Sequence, residues 1–289
     1  MENMVSKRIL VTGSSGFIGR KLVSVLQNNG HEIAVLLHSS TSTSASNNVQ
    51  EITIHNQTWE KEVFDFLPEF IFHLAGKSNY PKSFAEKEEL WDANVRFGNK
   101  LVDVILKIPN VTFVNFTTSL AYKGNELFPY TYYALTKSCF YQTLAFFASQ
   151  NKLFVFNLIL FNVYGNGDTT KRALNYIVDS LGQKEVVAMS PGEQLLDFVH
   201  VDDVVRLCLR LLDEKPIGKL EDIFVGTGTG TSLKETAQLL EILSNKKTAI
   251  DFGGIPYRME EKMENIAPIA KNRFWQTSIA IADGFLTLL

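Results

Sequence analysis

The chain of 289 residues predicts an α/β protein: a doubly wound parallel sheet with a smaller lobe woven into its C-terminal half. Three observations carry this expectation. Short apolar runs suited to buried strands alternate with helical patterns as far as Leu160, and that alternation argues for a parallel sheet covered on both faces. The first apolar run leads into Gly13, Gly16 and Gly19 and then into a helical apolar face. After Phe161 the pattern changes, yet no linker and no internal repeat separates the two halves. The division expected is a dinucleotide-binding domain over 1–163, to which 198–226 returns, and a substrate lobe over 164–289.

Taken in order, Ile9, Leu10 and Val11 suit a buried parallel strand, and Leu22, Val23, Val25 and Leu26 give the following helix its apolar face. Gly30 stands where a helix C-cap is expected. Strand, glycine turn and helix form the phosphate-binding start of a Rossmann-type fold. Gly13 allows the tight turn, Gly16 lets backbone N–H groups approach a pyrophosphate, and Gly19 lets the helix pack on the sheet. The positive helix N-terminus faces the phosphates, so Ser15, Phe17 and Ile18 join the glycines as expected cofactor contacts.

Glu32–Leu37 reads as the second strand, running into His38 and Ser39 with no acid at its end. An acid there accepts from a ribose 2′-hydroxyl and repels a 2′-phosphate. Its absence points to NADP(H), with NAD(H) as the alternative, and makes His38 and Ser39 the ribose-side contacts. Residues 52–54 suggest a third strand, followed by Asn56 on the adenine side; 60–66 suggest a helix closed by Pro68. Phe70–Leu74 is the fourth strand, with Leu74, Ala75 and Gly76 turning below the cofactor and His73 read as a satisfied buried histidine. A long helix over 86–108 contains Asn94; 111–116 is the fifth strand, 130–150 a second long helix and 153–160 the sixth strand. Beyond them, helices are expected over 173–181 and 204–212, with a strand at 222–225.

Composition narrows the function classes. A formal net charge of −3 gives no basic signal for nucleic acid. No apolar stretch reaches the roughly 18 residues of a membrane span, and the polar opening MENMVSKR lacks a secretory core. Cys139 and Cys208 make no disulfide scaffold and no CxxC, and no metal set is expected. The expectation is a cytoplasmic protein.

Tyr133 and Lys137 lie one helical turn apart on one face. The pair opens the helix after the fifth strand, and Ser119 ends that strand, at the sheet edge where open α/β folds take ligands. An unperturbed tyrosine ionises near pH 10; a lysine cation beside it favours the phenolate and brings it toward neutral working pH. Ser119 can hydrogen-bond a substrate oxygen whose charge changes in the reaction.

TGxxGFIG at 12–19, HLAG at 73–76, TTSLAYKG at 117–124, YxxxK, FNVYG at 161–165 and GEQLLDFVHVDDVV at 192–205 resemble the extended short-chain dehydrogenase/reductases. The resemblance spans nearly the whole chain. It implies Ser119, Tyr133 and Lys137 as the catalytic triad, with Lys137 also on the cofactor ribose; aligning Gly124 with the family's YG glycine selects Ser119 over Thr118. It implies a nucleotide-sugar substrate met by Asn162, and a homodimer paired through the helices at 86–108 and 130–150. Leu120 and Ala121 replace the acids of the family's dehydratases, which disfavours dehydration. Leu196 and Ile159 stand where arginines are usual; a lost diphosphate clamp is not conservative, and Arg258, Arg172 and Lys171 are the candidate substitutes. VGTGTGTSLKE and FGGIPYR resemble the C-terminal lobe of the CDP-abequose and CDP-paratose synthases. The function expected from this is an NADP(H)-dependent reductase of a nucleotide-linked keto-deoxysugar. The alternatives are a nucleotide-sugar epimerase with tightly bound NAD and a non-catalytic NADP sensor.

Overall fold

The computed structural model describes residues 5–38, 49–170, 172–259, 261–268 and 274–289. Seven strands make the main sheet: β1 (Arg8–Thr12), β2 (Glu32–Leu37), β3 (Val49–Thr53), β4 (Phe70–His73), β5 (Thr112–Thr118), β6 (Phe154–Leu160) and β7 (Leu220–Val225). Their order is β7-β6-β5-β4-β1-β2-β3, parallel throughout, with Ile9 opposite both Ile33 and Phe70. The order reverses between β1 and β4, the kind of switch point at whose carboxyl edge ligands bind. Every residue of β5 is buried, as expected of a strand covered on both faces.

Helices α1 (Phe17–Asn28), α2 (Trp59–Phe66), α3 (Phe84–Trp91), α4 (Phe97–Ile105) and α5 (Tyr132–Ser149) cover this sheet. Leu67 ends α2 in the left-handed region at φ 51°, forced out of helix by Pro68. One helix was expected over 86–108, but Asp92–Arg96 forms a π-turn between α3 and α4. The wider turn carries Asn94 inward, where its carboxamide accepts from Lys77 N at 2.8 Å and donates to Lys77 O at 3.0 Å and to Thr136 Oγ1 at 2.9 Å. Gly98 is required beside it, since a Cβ there would lie 2.5 Å from the Phe140 ring.

The chain divides into two compact units. The first comprises 1–123, 127–159 and 205–223; the second comprises 124–126, 160–204 and 224–289. In the second, the strand Asn162–Tyr164 pairs in parallel with Phe198–His200, and Leu195–Leu196 runs between Thr231–Ser232 and Glu264–Asn265. Its helices are α6 (Ala173–Asp179), the start of α7 (Val201–Leu211), α8 (Leu233–Ser244) and α9 (Ile281–Leu286). Ser232 and Glu235 close α8 with a capping box. Tyr164, Phe198 and Phe285 meet edge-on at 5.0–6.0 Å in the centre of that unit's core. Among the described residues no helix is long and apolar enough to cross a membrane.

Candidate active site

The glycine turn is built to a tolerance that excludes side chains. Gly13 has φ +70°, and a Cβ on it would lie 2.6 Å from Ala75 N. A Cβ on Gly19 would lie 2.1 Å from Gly13 O, and one on Gly16 3.2 Å from the same oxygen. Neither a capping side chain nor an acid in the first turn occupies the N-terminus of α1, so its orphan N–H groups remain for an anion. Ser14 is 5% exposed and its Oγ has no hydrogen-bond partner. These features fit the diphosphate of a dinucleotide. Ser15, exposed, and Phe17 and Ile18, half-buried, flank the turn. Ser14 was not foreseen, because in GSSG nothing in the sequence separates one serine from the next.

At the end of β4, Ala75 N donates to Thr12 Oγ1 at 3.1 Å, and that hydroxyl meets His73 Nδ1 at 3.0 Å. Burial, with the Lys137 charge added, pushes the His73 pKa down to about 3. His73 is therefore a neutral, hydrogen-bonded buried histidine, as read from the sequence. Leu74 N donates to Thr12 O at 3.2 Å, and a Cβ on Gly76 would stand 3.2 Å from Lys137 Nζ. The structure thus brings the 74–76 turn and the expected catalytic lysine together.

Ser119 opens a short 3₁₀ turn directly after β5 and is 2% exposed. Thr118 is committed elsewhere, its Oγ1 accepting from Leu120 N at 3.3 Å. Thr131 caps α5 by accepting from Ala134 N at 3.1 Å, so the helix begins just before Tyr133. Thr136 Oγ1 donates to Tyr133 O at 2.7 Å while accepting from Asn94, which pins the turn bearing the tyrosine. Lys137 is 7% exposed, and burial pushes its pKa down to about 8. It keeps its charge near neutral pH, in a dry site where that charge acts strongly.

On the ribose side, Leu37 lies inside the sheet opposite Thr53 at 6% exposure. His38 follows it, exposed, with its ring edge-on to His55 at 5.1 Å. Asn56 is exposed in the turn after β3, where its carbonyl accepts from Trp59 N at 3.2 Å. Ser39 lies outside the described residues. Of the expected substrate residues, Lys171 also lies outside them. Arg172 is held locally: Nη2 donates to Val163 O at 2.8 Å and pairs with Asp168, while Nε donates to Thr170 Oγ1 at 2.8 Å. Arg258 is exposed, and Leu196 packs against the core of the second unit. Asn162 Nδ2 is buried without a partner. Among the described residues no group of three His, Cys, Asp or Glu could hold a metal.

Comparison with known proteins sets these features in a family. Residues 9–226 match the NAD dependent epimerase/dehydratase family. The chain is 30% identical over 267 residues to CDP-abequose synthase of Salmonella typhimurium, covering 90% of this chain and 89% of that protein. UDP-glucose 4-epimerase of Thermotoga maritima, solved with UDP-glucose, has a TM-score of 0.83 at 25% identity, and MoeE5 in complex with UDP-glucuronic acid and NAD has 0.85 at 23%; both cover 97% of each chain.

Two expectations are corrected by these findings. The NADP(H) expectation is overturned: MoeE5 and the 4-epimerases of Thermus thermophilus and Bacillus cereus, which share the fold, are solved with NAD. The expectation rested on a missing acid alone: Leu37, which ends the strand, is packed in the sheet at 6% exposure and supplies no cation for a 2′-phosphate. The keto-sugar reductase expectation is overturned as well, because similar folds and further relatives include UDP- and ADP-sugar epimerases. A Ser-Tyr-Lys triad serves either reaction, and the reductase expectation was drawn from the C-terminal segments VGTGTGTSLKE and FGGIPYR, which lie outside the triad. With the glycine cradle, the Ser119-Tyr133-Lys137 set and a match over residues 9–226, the chain belongs to the NAD dependent epimerase/dehydratase family.

Proposed function

We propose that the chain is an NAD-dependent epimerase of a nucleoside-diphosphate sugar, inverting a secondary alcohol through a transient ketone. The acid–base chemistry of this reading rests on Lys137, a nearly dry cation one turn beyond Tyr133 and beside the 74–76 turn, and the likeness to UDP- and ADP-sugar epimerases supports inversion over reduction. Its charge lowers the cost of a Tyr133 phenolate, which takes the proton of the sugar hydroxyl. Ser119 holds the same oxygen as it becomes a carbonyl. The chemistry that NAD supplies when bound is to take a hydride from the carbinol carbon and give it back on the opposite face. The roles carry over to the other expected contacts: Gly13, Ser15, Gly16, Phe17, Ile18, Gly19, His38, Asn56, Leu74, Ala75 and Gly76 for the cofactor, Asn162 and Arg258 for the diphosphate. Arg172 is already paired with Asp168. We further propose a homodimer through α5, whose stripe of Leu135 and Phe146 is 40% and 60% exposed.

The test is to release and identify the nicotinamide that co-purifies, and to incubate the protein with UDP-glucose, UDP-glucuronic acid and an ADP-heptose while following configuration by NMR. Retained NAD and inversion of one sugar without net oxidation support the reading. NADPH consumed in proportion to product would overturn it.

A further inference from the structure

We propose that the second unit carries a neutral hydrogen-bonding pocket, formed by Gln194, Asn265 and Thr236, that takes O–H or N–H donors of the uncharged part of the ligand. The proposal rests on the nucleotide-sugar reading above and adds which chemistry is read there.

The strand register assembles the pocket. Leu195–Leu196 and Phe198–His200 form one continuous extended run, linked through Asp197: its N–H donates to Asn265 O at 3.0 Å and its carbonyl accepts from Asn162 N at 2.9 Å. Side chains alternate along such a run. Gln194, Leu196 and Phe198 therefore share a face. Asp197 points the other way, accepting from Thr227 N at 2.7 Å, Gly228 N at 2.8 Å and Ala267 N at 3.1 Å. Parallel partners also share a face, which adds Asn265 opposite Leu196 and Asn162 opposite Phe198. Helix α8 lays Thr236 between Leu233 and Ala237, two members of the apolar core that Phe198 joins and Leu196 packs against.

Gln194 Oε1 and Asn265 Oδ1 on that strand face, Thr236 Oγ1 on α8 and Asn162 Nδ2 opposite Phe198 are all buried without a hydrogen-bond partner. The first three residues are 5%, 4% and 0% exposed. Gln194 is fixed at its other end, where Nε2 donates to Ser190 Oγ at 3.2 Å. Leaving such a buried group without a hydrogen bond is costly, and Leu196 beside them offers no donor. Asn162 Nδ2 is a donor and suits a phosphate oxygen. The two carboxamide oxygens are acceptors, and a phosphate there would set oxygen against oxygen. They require hydroxyl or amino hydrogens, and Thr236 can serve either way. Two parts of a nucleotide sugar present such donors: the nucleoside and the sugar.

The test uses calorimetric titration of UDP, CDP and ADP, and of their glucose conjugates, into the NAD-loaded protein and its Gln194→Met, Asn265→Leu and Thr236→Val variants. Each variant should weaken binding roughly tenfold, a change of about 1.4 kcal/mol, while Thr236→Val, which removes only an unsatisfied hydroxyl, should also raise the ligand-free melting temperature. This opposition of sign separates the pocket from a structural role. Equal weakening for a diphosphate and its conjugate assigns the pocket to the nucleoside; weakening for the conjugate alone assigns it to the sugar. Variants that bind as the wild type does would overturn the pocket and leave the nucleotide-sugar reading standing. A wild type that binds none of the six probes sinks that reading first. Should Asn265→Leu not fold, Gln194→Met and Thr236→Val decide the question.

Discussion

The glycine turn of the first unit and the 194–198 face of the second each hold buried polar atoms without partners, yet they are built by opposite means. Around Gly13 and Gly19 the backbone itself forms the site, and a methyl group at either place would sit within 2.6 Å of another main-chain atom. On the 194–198 face ordinary polar side chains are gathered by strand register, and a substitution there leaves the backbone free to stay. A site made of backbone restricts its residue types, whereas a site made of register does not. The first is therefore visible in a sequence and the second is not.

The largest effect expected on this contrast is chemical. Tyr133→Phe keeps the ring and the α5 packing but removes the hydroxyl, so turnover should fall about 10³-fold. Melting temperature and NAD retention should stay as they are. A variant that still turns over would show that the acid–base group lies elsewhere, and would remove the backbone-built end of the molecule from the chemistry.

Next comes the backbone itself. Gly19→Ala would place a Cβ 2.1 Å from Gly13 O, with no flexible side chain to yield, so about 3 kcal/mol of stability and most NAD retention should be lost. Gly30 also has a positive φ, +77°, but nothing lies within 4 Å of its Cβ position. Gly30→Ala should therefore cost only about 1 kcal/mol and leave NAD bound. Urea denaturation with an NAD assay on both variants checks this, and equal losses would refute the tight-cradle account.

The same distinction explains what the sequence made legible. The strand and helix alternation gave the sheet, since buried parallel strands must be apolar throughout. Ser119, Tyr133 and Lys137 stood out through their place at the carboxyl edge of β5 and the start of α5. The π-turn at Asp92–Arg96 was hidden, because apolar periodicity continues through it and only the tertiary pull of Lys77 and Thr136 on Asn94 widens the turn. The cofactor was misread at the end of β2 because a missing acid is not by itself a cation for a 2′-phosphate, and Leu37, packed in the sheet, supplies none. Gln194, Asn265 and Thr236 had no pattern to betray them, being neighbours through pairing alone.

A smaller, pH-dependent effect belongs to His73. Its folded pKa of about 3 lies below the ordinary 6.5 because burial, helped by Lys137, disfavours the charged ring. Below pH 6.5 the unfolded chain takes up a proton that the folded chain refuses, so stability falls as the pH drops from about 6.5 toward 3. His73→Gln should flatten that part of the stability curve, as measured by urea midpoints from pH 7 to 4. An unchanged slope would mean that carboxylates alone govern the acid limb.

The smallest expected effect is the sharpest for the contrast. Ser14 is the one side chain of the glycine turn in the same condition as the second unit's orphans, buried with an Oγ that has no partner. If its hydroxyl serves the cofactor phosphates, Ser14→Ala should leave the ligand-free protein as stable or up to about 1 kcal/mol more stable, because an unsatisfied polar atom has been removed. NAD should then bind several-fold more weakly, since one hydrogen bond to a charged group has gone while the helix N-terminus and the turn's N–H groups remain. That loss should stay well below the one caused by Gly19→Ala, because the backbone supplies most of the cradle. Thermal melts with and without added NAD read both quantities on one sample. A Ser14→Ala protein that melts lower without NAD and gains as much from NAD as the wild type would make Ser14 a packing residue, and the unpartnered atoms of the two units would no longer be alike.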